Sequence, residues 1–180
     1  MINQEILPAI SNFKDMKIFI KSDVKYCILM DFQLAELEDI IKELKSHHKK
    51  ILIHIDLIKG LKPDEYGAIY LIQKHKVDGI ISIKPGPIMI AKKRHVIGIQ
   101  RVFLKDSHSL ERSYNIIEKI QPDYLEILPA ISSNILMEIK RKTKLNIYCG
   151  GLIQTKKEIE DCLANGAIGI TTSNPTLWNI

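Results

Sequence analysis

The chain has 180 residues, 46% of them apolar, which is enough to bury one sizeable core. Its 26 Lys and Arg against 21 Asp and Glu give a formal charge of +5, which excludes an acidic, calcium-buffering protein and permits an anionic partner without demanding one. Aromatic side chains make up only 6%, little material for a base-stacking platform. The three cysteines, Cys27, Cys149 and Cys162, form no CxxC pair, which argues against a disulfide framework or structural zinc site and for a reducing compartment. Apolar stretches such as 51–58 are broken by His54 and Asp56 and fall far short of a bilayer span. No basic segment leads into an apolar run at the N-terminus, so the expected location is the cytoplasm.

Eight short runs rich in Ile, Val and Leu, apolar on both faces, read as strands of a buried parallel sheet: 5–10, 26–31, 50–58, 79–84, 96–104, 124–130, 146–153 and 167–173. Amphipathic segments separate them. After a brief link at 13–22, apolar residues at 34, 37, 40, 41 and 44 predict a helix over 34–47. Pro63-Asp64-Glu65 opens a helix over 64–74, and 88–94 allows about two turns. Asp106-Ser107 and Ser132-Ser133 are expected caps for helices over 110–120 and 135–142. Thr155 and Glu158 have capping-box spacing at the head of 156–165, and Gly166 is placed to close that helix. No Ser/Gly tract, Pro-rich run or low-complexity block interrupts the sequence, so residues 1–180 are expected to form one domain.

Strand and helix alternating eight times predict an α/β fold, a small (β/α)8 TIM-type barrel with abbreviated helices and a truncated C-terminal helix. Such barrels typically need about 250 residues, so this one has to economise. An open doubly wound sheet is the alternative, but the glycine-rich loop expected after its first strand is missing.

A parallel barrel works at the C-terminal ends of its strands, with phosphate usually bound by the loops after strands seven and eight. Those runs end in Cys149-Gly150-Gly151 and Thr171-Thr172-Ser173. A glycine pair lets backbone N–H groups approach an anion, and the hydroxyls opposite add donors. The plainer reading is a tight turn facing a capped strand end. Polar residues punctuate six other strand positions. His54 and Asp56 are expected on one face by period-two alternation, Lys84 ends the fourth run, Gln100 and Arg101 point to opposite faces, and Glu126 lies inside the sixth. Charge in an apolar strand is costly unless paired, so these groups form either a network plugging the mouth, with Glu126 paired to Lys84 or Arg101, or the lining of a polyol-phosphate pocket. In the second case Lys84 meets phosphate or hydroxyl, Asp56 and Glu126 accept from hydroxyls, and His54 and Gln100 complete the lining. Basic clusters such as Lys92-Lys93-Arg94 ordinarily solvate helix ends, and offer a minority reading as a nucleic-acid stripe. Trp178 is expected to seal the barrel base or to form a dimer contact. No metal cluster or nucleophile–base pair stands out, and no cofactor is expected.

In order along the chain, Leu7-Pro8-Ala9-Ile10, His54-Ile55-Asp56-Leu57-Ile58-Lys59-Gly60-Leu61, Asp78-Gly79-Ile80-Ile81-Ser82-Ile83-Lys84, Gln100-Arg101-Val102-Phe103-Leu104-Lys105-Asp106-Ser107, Pro122-Asp123-Tyr124-Leu125-Glu126-Ile127-Leu128-Pro129, Gly150-Gly151-Leu152-Ile153 and Thr172-Ser173-Asn174-Pro175-Thr176-Leu177-Trp178 resemble the glycerol-3-phosphate-responsive antiterminators, the glycerol uptake operon antiterminator regulatory proteins of bacteria. The sequence departs from that pattern at Ile83, Ala130, Cys149 and Thr171-Thr172. The resemblance implies a small barrel that binds sn-glycerol 3-phosphate and then the leader mRNA of glycerol-utilisation genes, preventing a terminator from forming. In the pocket read from the residues, phosphate is expected on the backbone N–H groups of Gly150, Gly151, Thr172 and Ser173, and hydroxyls on Asp56, Lys84 and Glu126. Lys92, Lys93 and Arg94 are the expected RNA contacts. The rival class is an enzyme, an epimerase, synthase or prenyl-transfer barrel acting on a small phosphorylated substrate, since fold alone does not decide function. A metabolite sensor acting through a protein partner is a third reading.

Overall fold

The computed structural model describes residues 1–130 and 134–179. Eight parallel strands close on themselves in chain order: β1 (Ile6–Ile10), β2 (Tyr26–Leu29), β3 (Lys50–His54), β4 (Gly79–Ser82), β5 (Ile97–Phe103), β6 (Tyr124–Leu128), β7 (Asn146–Gly150) and β8 (Gly169–Thr172), with β8 pairing back onto β1. Seven helices link them: α1 (Phe13–Lys21), α2 (Leu37–Ser46), α3 (Glu65–His75), α4 (Pro85–Lys93), α5 (Ser107–Ile120), α6 (Asn134–Thr143) and α7 (Lys156–Ala164). After β8 the described residues form a 3-10 turn, Pro175–Leu177, at the place of a full barrel's eighth helix. The chain thus forms the small (β/α)8 barrel that its periodicity predicts.

Local chemistry sets the helix ends. Asp106 caps α5 by accepting the Ser109 N–H at 2.7 Å. Thr155 and Glu158 form the expected capping box of α7, and Gly166, at φ 101°, takes the left-handed conformation that follows its last turn. The cap expected at Ser132-Ser133 lies outside the described residues. The segment at 13–22 is a true helix of nine residues, with Asn12 as its cap.

Alternation along the strands splits the core into two layers. Leu7, Ile28, Leu52, Ile81, Ile99, Tyr124 and Tyr148 fill the barrel, while Phe19, Leu37, Ile53, Leu71, Ile127 and Leu136 pack between sheet and helices. The N-terminal segment seals the base. Ile2 is buried there and its N–H donates to the Tyr124 hydroxyl at 2.7 Å. Tyr148 donates to the Gln4 carbonyl, and the Gln4 side chain bonds backbone groups of Ile6, Lys25 and Tyr26. Two acidic residues brace adjacent strands near the same end: Asp78 accepts from Ile51 N–H and Lys50, Asp123 from Gly98 N–H and Lys92.

Trp178 neither seals that base nor lies open to a second chain. It is 2% exposed in the outer core layer, and its indole N–H donates to the Thr172 carbonyl at 3.0 Å, pinning the loop after β8. All three cysteines are buried and unbridged. Among the described residues no helix is long and apolar enough to cross a membrane.

Candidate functional site

A cleft of about 660 Å3 opens at the C-terminal mouth, between the loops after β7 and β8 and beside Arg101 and Leu128. Its charged floor is built by register. Arg101 of β5 pairs with Glu126 of β6 in the parallel ladder, and both alternate inward with Ile99 and Tyr124. The Arg101 Nε–H donates to Glu126 Oε2 at 2.6 Å and Nη2–H to Oε1 at 3.1 Å. Thr171, from β8, donates its hydroxyl to the same Oε1 at 2.7 Å. Glu126 is wholly buried and Arg101 is 11% exposed at its side chain. Of the two partners open to Glu126, the structure supplies Arg101. Two of five guanidinium N–H donors are thereby used, leaving the rest for the cleft that Arg101 lines.

The two loops offer donors above this floor. Gly151 has φ 76° and the next residue, Leu152, φ 62°, a conformation that costs a branched side chain of order 1–3 kcal/mol and that persists only where its surroundings impose it. Leu152 is also 80% exposed. The backbone N–H groups of Leu152, Ile153 and Ser173 find no acceptor among the described residues. Around them the loops are fixed. Glu158 accepts from the Gln154 and Thr155 N–H groups, Thr172 Oγ1 accepts from Asn174 N–H, and Trp178 holds the Thr172 carbonyl. Unused N–H groups on a braced, concave backbone, beside an arginine and the hydroxyls of Thr172 and Ser173, suit a phosphate-sized anion.

The two glycines have different tasks. Gly150 is the inward position of β7, where a Cβ would overlap the Thr171 hydroxyl and crowd Glu126. It is needed for packing of the floor. Gly151 supplies the left-handed turn and lines the cleft.

Other sequence-predicted residues lie elsewhere. β3 stops at His54, and Asp56 belongs to a 3-10 turn, Ile55–Leu57, so strand alternation does not relate them. They still meet, with His54 Nδ1 at 3.5 Å from Asp56 Oδ2. Asp56 ties β3 to β4 by accepting from Ser82 Oγ and the Ile83 N–H, at 3.1 Å each. His54 is fully buried with neither ring nitrogen hydrogen-bonded. Burial first, and the Arg101 charge second, push its pKa down to about 3, so the ring stays neutral at ordinary pH. Lys84 is exposed at the head of α4 and does not line the cleft. Gln100 points outward from β5 and donates Nε2–H to the carbonyls of Ile83 and Arg101. Lys92 reaches Asp123 at 2.6 Å, so it, Lys93 and Arg94, which end α4 just before the start of β5, belong to the base and not to the mouth.

Arg101 is the contributor that sequence reasoning undervalued, weighing it only as a partner for Glu126. Alternation placed Gln100 and Arg101 on opposite faces without saying which faced inward. Among the described residues no group of three His, Cys, Asp or Glu is arranged to hold a metal ion.

Comparison with known proteins gives the family. A glycerol uptake operon antiterminator regulatory protein from Listeria monocytogenes str. 4b F2365, known from its crystal structure, is 37% identical and superposes with a TM-score of 0.94, over 99% of this chain and 96% of its own. A glycerol uptake operon antiterminator-related protein from Thermotoga maritima MSB8 is 26% identical, with a TM-score of 0.86 over 98% and 99% of the two chains. The uncharacterized protein YgcP of Escherichia coli (strain K12) is 24% identical over 175 residues, 97% of this chain and 92% of its own length. The model of the glycerol-3-phosphate responsive antiterminators matches residues 6–178, and the chain belongs to that family.

Proposed function

We propose that this chain is a cytoplasmic sensor of sn-glycerol 3-phosphate that, with ligand bound, binds the leader mRNA of glycerol-utilisation genes and keeps a terminator from forming. The observation that carries the ligand half is the mouth cleft: a braced pair of loops with unused N–H groups, set over a buried Arg101–Glu126–Thr171 floor, in a chain of a family named for its response to glycerol 3-phosphate. The phosphate sits against Gly151, Leu152, Ile153, Thr172 and Ser173. The glycerol hydroxyls point down toward Arg101, with Glu126 and Thr171 fixing the guanidinium from below. In this reading Glu126 positions Arg101 instead of accepting directly from the ligand, and Asp56 holds the wall of the mouth.

Several ligand contacts made at once from separate loops order that face and favour an RNA-binding state. A coupling of about 1–3 kcal/mol is enough to change RNA affinity roughly 5–150-fold. The test is a gel shift of the leader transcript with and without sn-glycerol 3-phosphate. Tighter binding with ligand is expected, and equal binding in both lanes would overturn the gating.

The enzyme reading loses ground on one observation. Of the four groups it would use for proton transfer, Glu126 is committed to Arg101 and Thr171, Asp56 to Ser82 and Ile83, His54 is buried away from the cleft, and Lys84 is exposed but does not line the cleft. Incubation with the ligand in heavy water is expected to leave its carbon-bound hydrogens unexchanged.

A further inference from the structure

On the other face of β5 from the mouth floor lies a second cleft, of about 330 Å3. It is framed by Ile83 at the end of β4, by Gln100 and Val102 of β5, and by Ser113 and Ile116 along one stripe of α5, with Lys105 and Arg112 at the rim. Gln100 is 3% exposed and its orientation is fixed, because two carbonyls, Ile83 O at 2.8 Å and Arg101 O at 3.0 Å, both require the amide NH2. That leaves the Gln100 Oε1 acceptor buried with no donor among the described residues. Buried acceptors of native proteins are ordinarily paired, so an orphan in a cleft wall points to a missing partner.

The lining defines that partner's chemistry. It must bring an N–H donor to Gln100 Oε1, apolar faces to Ile83, Val102 and Ile116, and negative charge to Lys105 and Arg112. Both cations are exposed, and neither forms an ion pair among the described residues. An aliphatic chain leaves the acceptor and the cations unanswered. A carboxylate or bare phosphate offers the buried acceptor no N–H. A nucleobase has amino or imide N–H groups on its edge and apolar faces, and its own backbone carries the phosphate. We propose that this cleft takes one unstacked nucleotide of RNA, gripping the base by its edge and between aliphatic walls, without an aromatic platform. The proposal rests on the RNA-binding reading above and locates its contact on the shoulder of the barrel, away from the basic cluster at 92–94. It also links the two sites, since Arg101 lines the mouth while its carbonyl is held by Gln100 one residue back, so that both ligands draw on one stretch of β5.

The test uses the full chain and two substitutions on α5, Ser113→Phe to fill the cleft and Arg112→Glu to reverse its rim. Each is checked for an unchanged melting temperature and an unchanged shift with sn-glycerol 3-phosphate. Affinity for the leader transcript, with sn-glycerol 3-phosphate present, is read by fluorescence anisotropy. Ser113→Phe is expected to weaken RNA at least tenfold, and Arg112→Glu to weaken it and flatten its salt dependence. Wild-type RNA affinity in Ser113→Phe would overturn the cleft while leaving the RNA-binding reading intact. If the unmodified chain binds no leader transcript, that reading fails first. Titration with AMP, CMP, GMP and UMP, followed by amide NMR shifts along α5, then decides the rest. Shifts abolished by Ser113→Phe would overturn RNA in favour of a free nucleotide, and no shifts would overturn the cleft as a nucleotide site altogether.

Discussion

The two ends of the barrel are built on opposite rules. At the base every polar group named above is answered: Tyr124 accepts from Ile2, Tyr148 donates to Gln4, and the Gln4 amide uses both its donors and its acceptor. At the mouth the groups are left open. His54 has two bare ring nitrogens, Leu152 holds a left-handed backbone, and three loop N–H groups lack acceptors among the described residues. A buried polar group left unpaired, as the His54 ring is, costs about 1–3 kcal/mol, a cost that the paired groups at the base avoid. The loop N–H groups, which border the cleft, are the ones a ligand can satisfy. The difference identifies the end at which binding is expected.

The largest effect is expected where the mouth depends on a buried charge. Glu126→Ala strands Arg101 and removes the Thr171 acceptor, and should destabilise the fold by about 3–5 kcal/mol in urea melts while abolishing the ligand-induced shift. A base substitution should separate the two properties. A Cβ on Gly169 would overlap the Glu5 carbonyl and crowd the Tyr148 ring, so Gly169→Ala should cost about 1–3 kcal/mol in denaturant yet leave ligand affinity unchanged.

Acid is expected to act through His54. Its folded pKa, near 3, lies below the unfolded value of 6.5, so the unfolded chain binds the proton more readily between those limits. Stability is therefore full above the unfolded value and falls with pH below it, by about 2 kcal/mol from pH 7 to pH 5. Denaturant melts of His54→Gln across that range should lose this part of the acid dependence. Smaller still, Ser173→Ala at the mouth should weaken ligand binding several-fold, about 1 kcal/mol, without moving the melting temperature of the free protein. Lys92→Ala at the base removes a half-exposed ion pair and should cost less than about 1 kcal/mol by urea titration.

The barrel was legible because each buried strand is apolar on both faces, and eight such runs cannot hide between helices whose caps, Asp106, Thr155 with Glu158, and Gly166, are written in local chemistry. Strand ends were less legible. The run over 50–58 continues as Ile and Leu through a 3-10 turn, and composition does not distinguish the turn from more strand. That is why Asp56 was expected to line a pocket and instead braces β4. The candidate site was legible in its loops, since Gly150-Gly151 and Thr172-Ser173 fall where parallel barrels bind phosphate. Its floor was not. Whether Gln100 or Arg101 faces inward depends on the phase of the alternation against neighbouring strands, which only closure of the barrel sets. The pairing of Arg101 with Glu126 fixes that phase and sends Gln100 to the outer cleft.

In the proposed function the mouth cleft takes glycerol 3-phosphate through both its phosphate and its polyol. Thermal-shift titration of the full chain with sn-glycerol 3-phosphate, beside glycerol, inorganic phosphate and glycerol 1-phosphate, tests it most directly. A selective shift with the 3-phosphate is expected, worth about 2.7 kcal/mol at a hundredfold excess over its dissociation constant. An equal shift with every phosphate, or no shift with any, would contradict it.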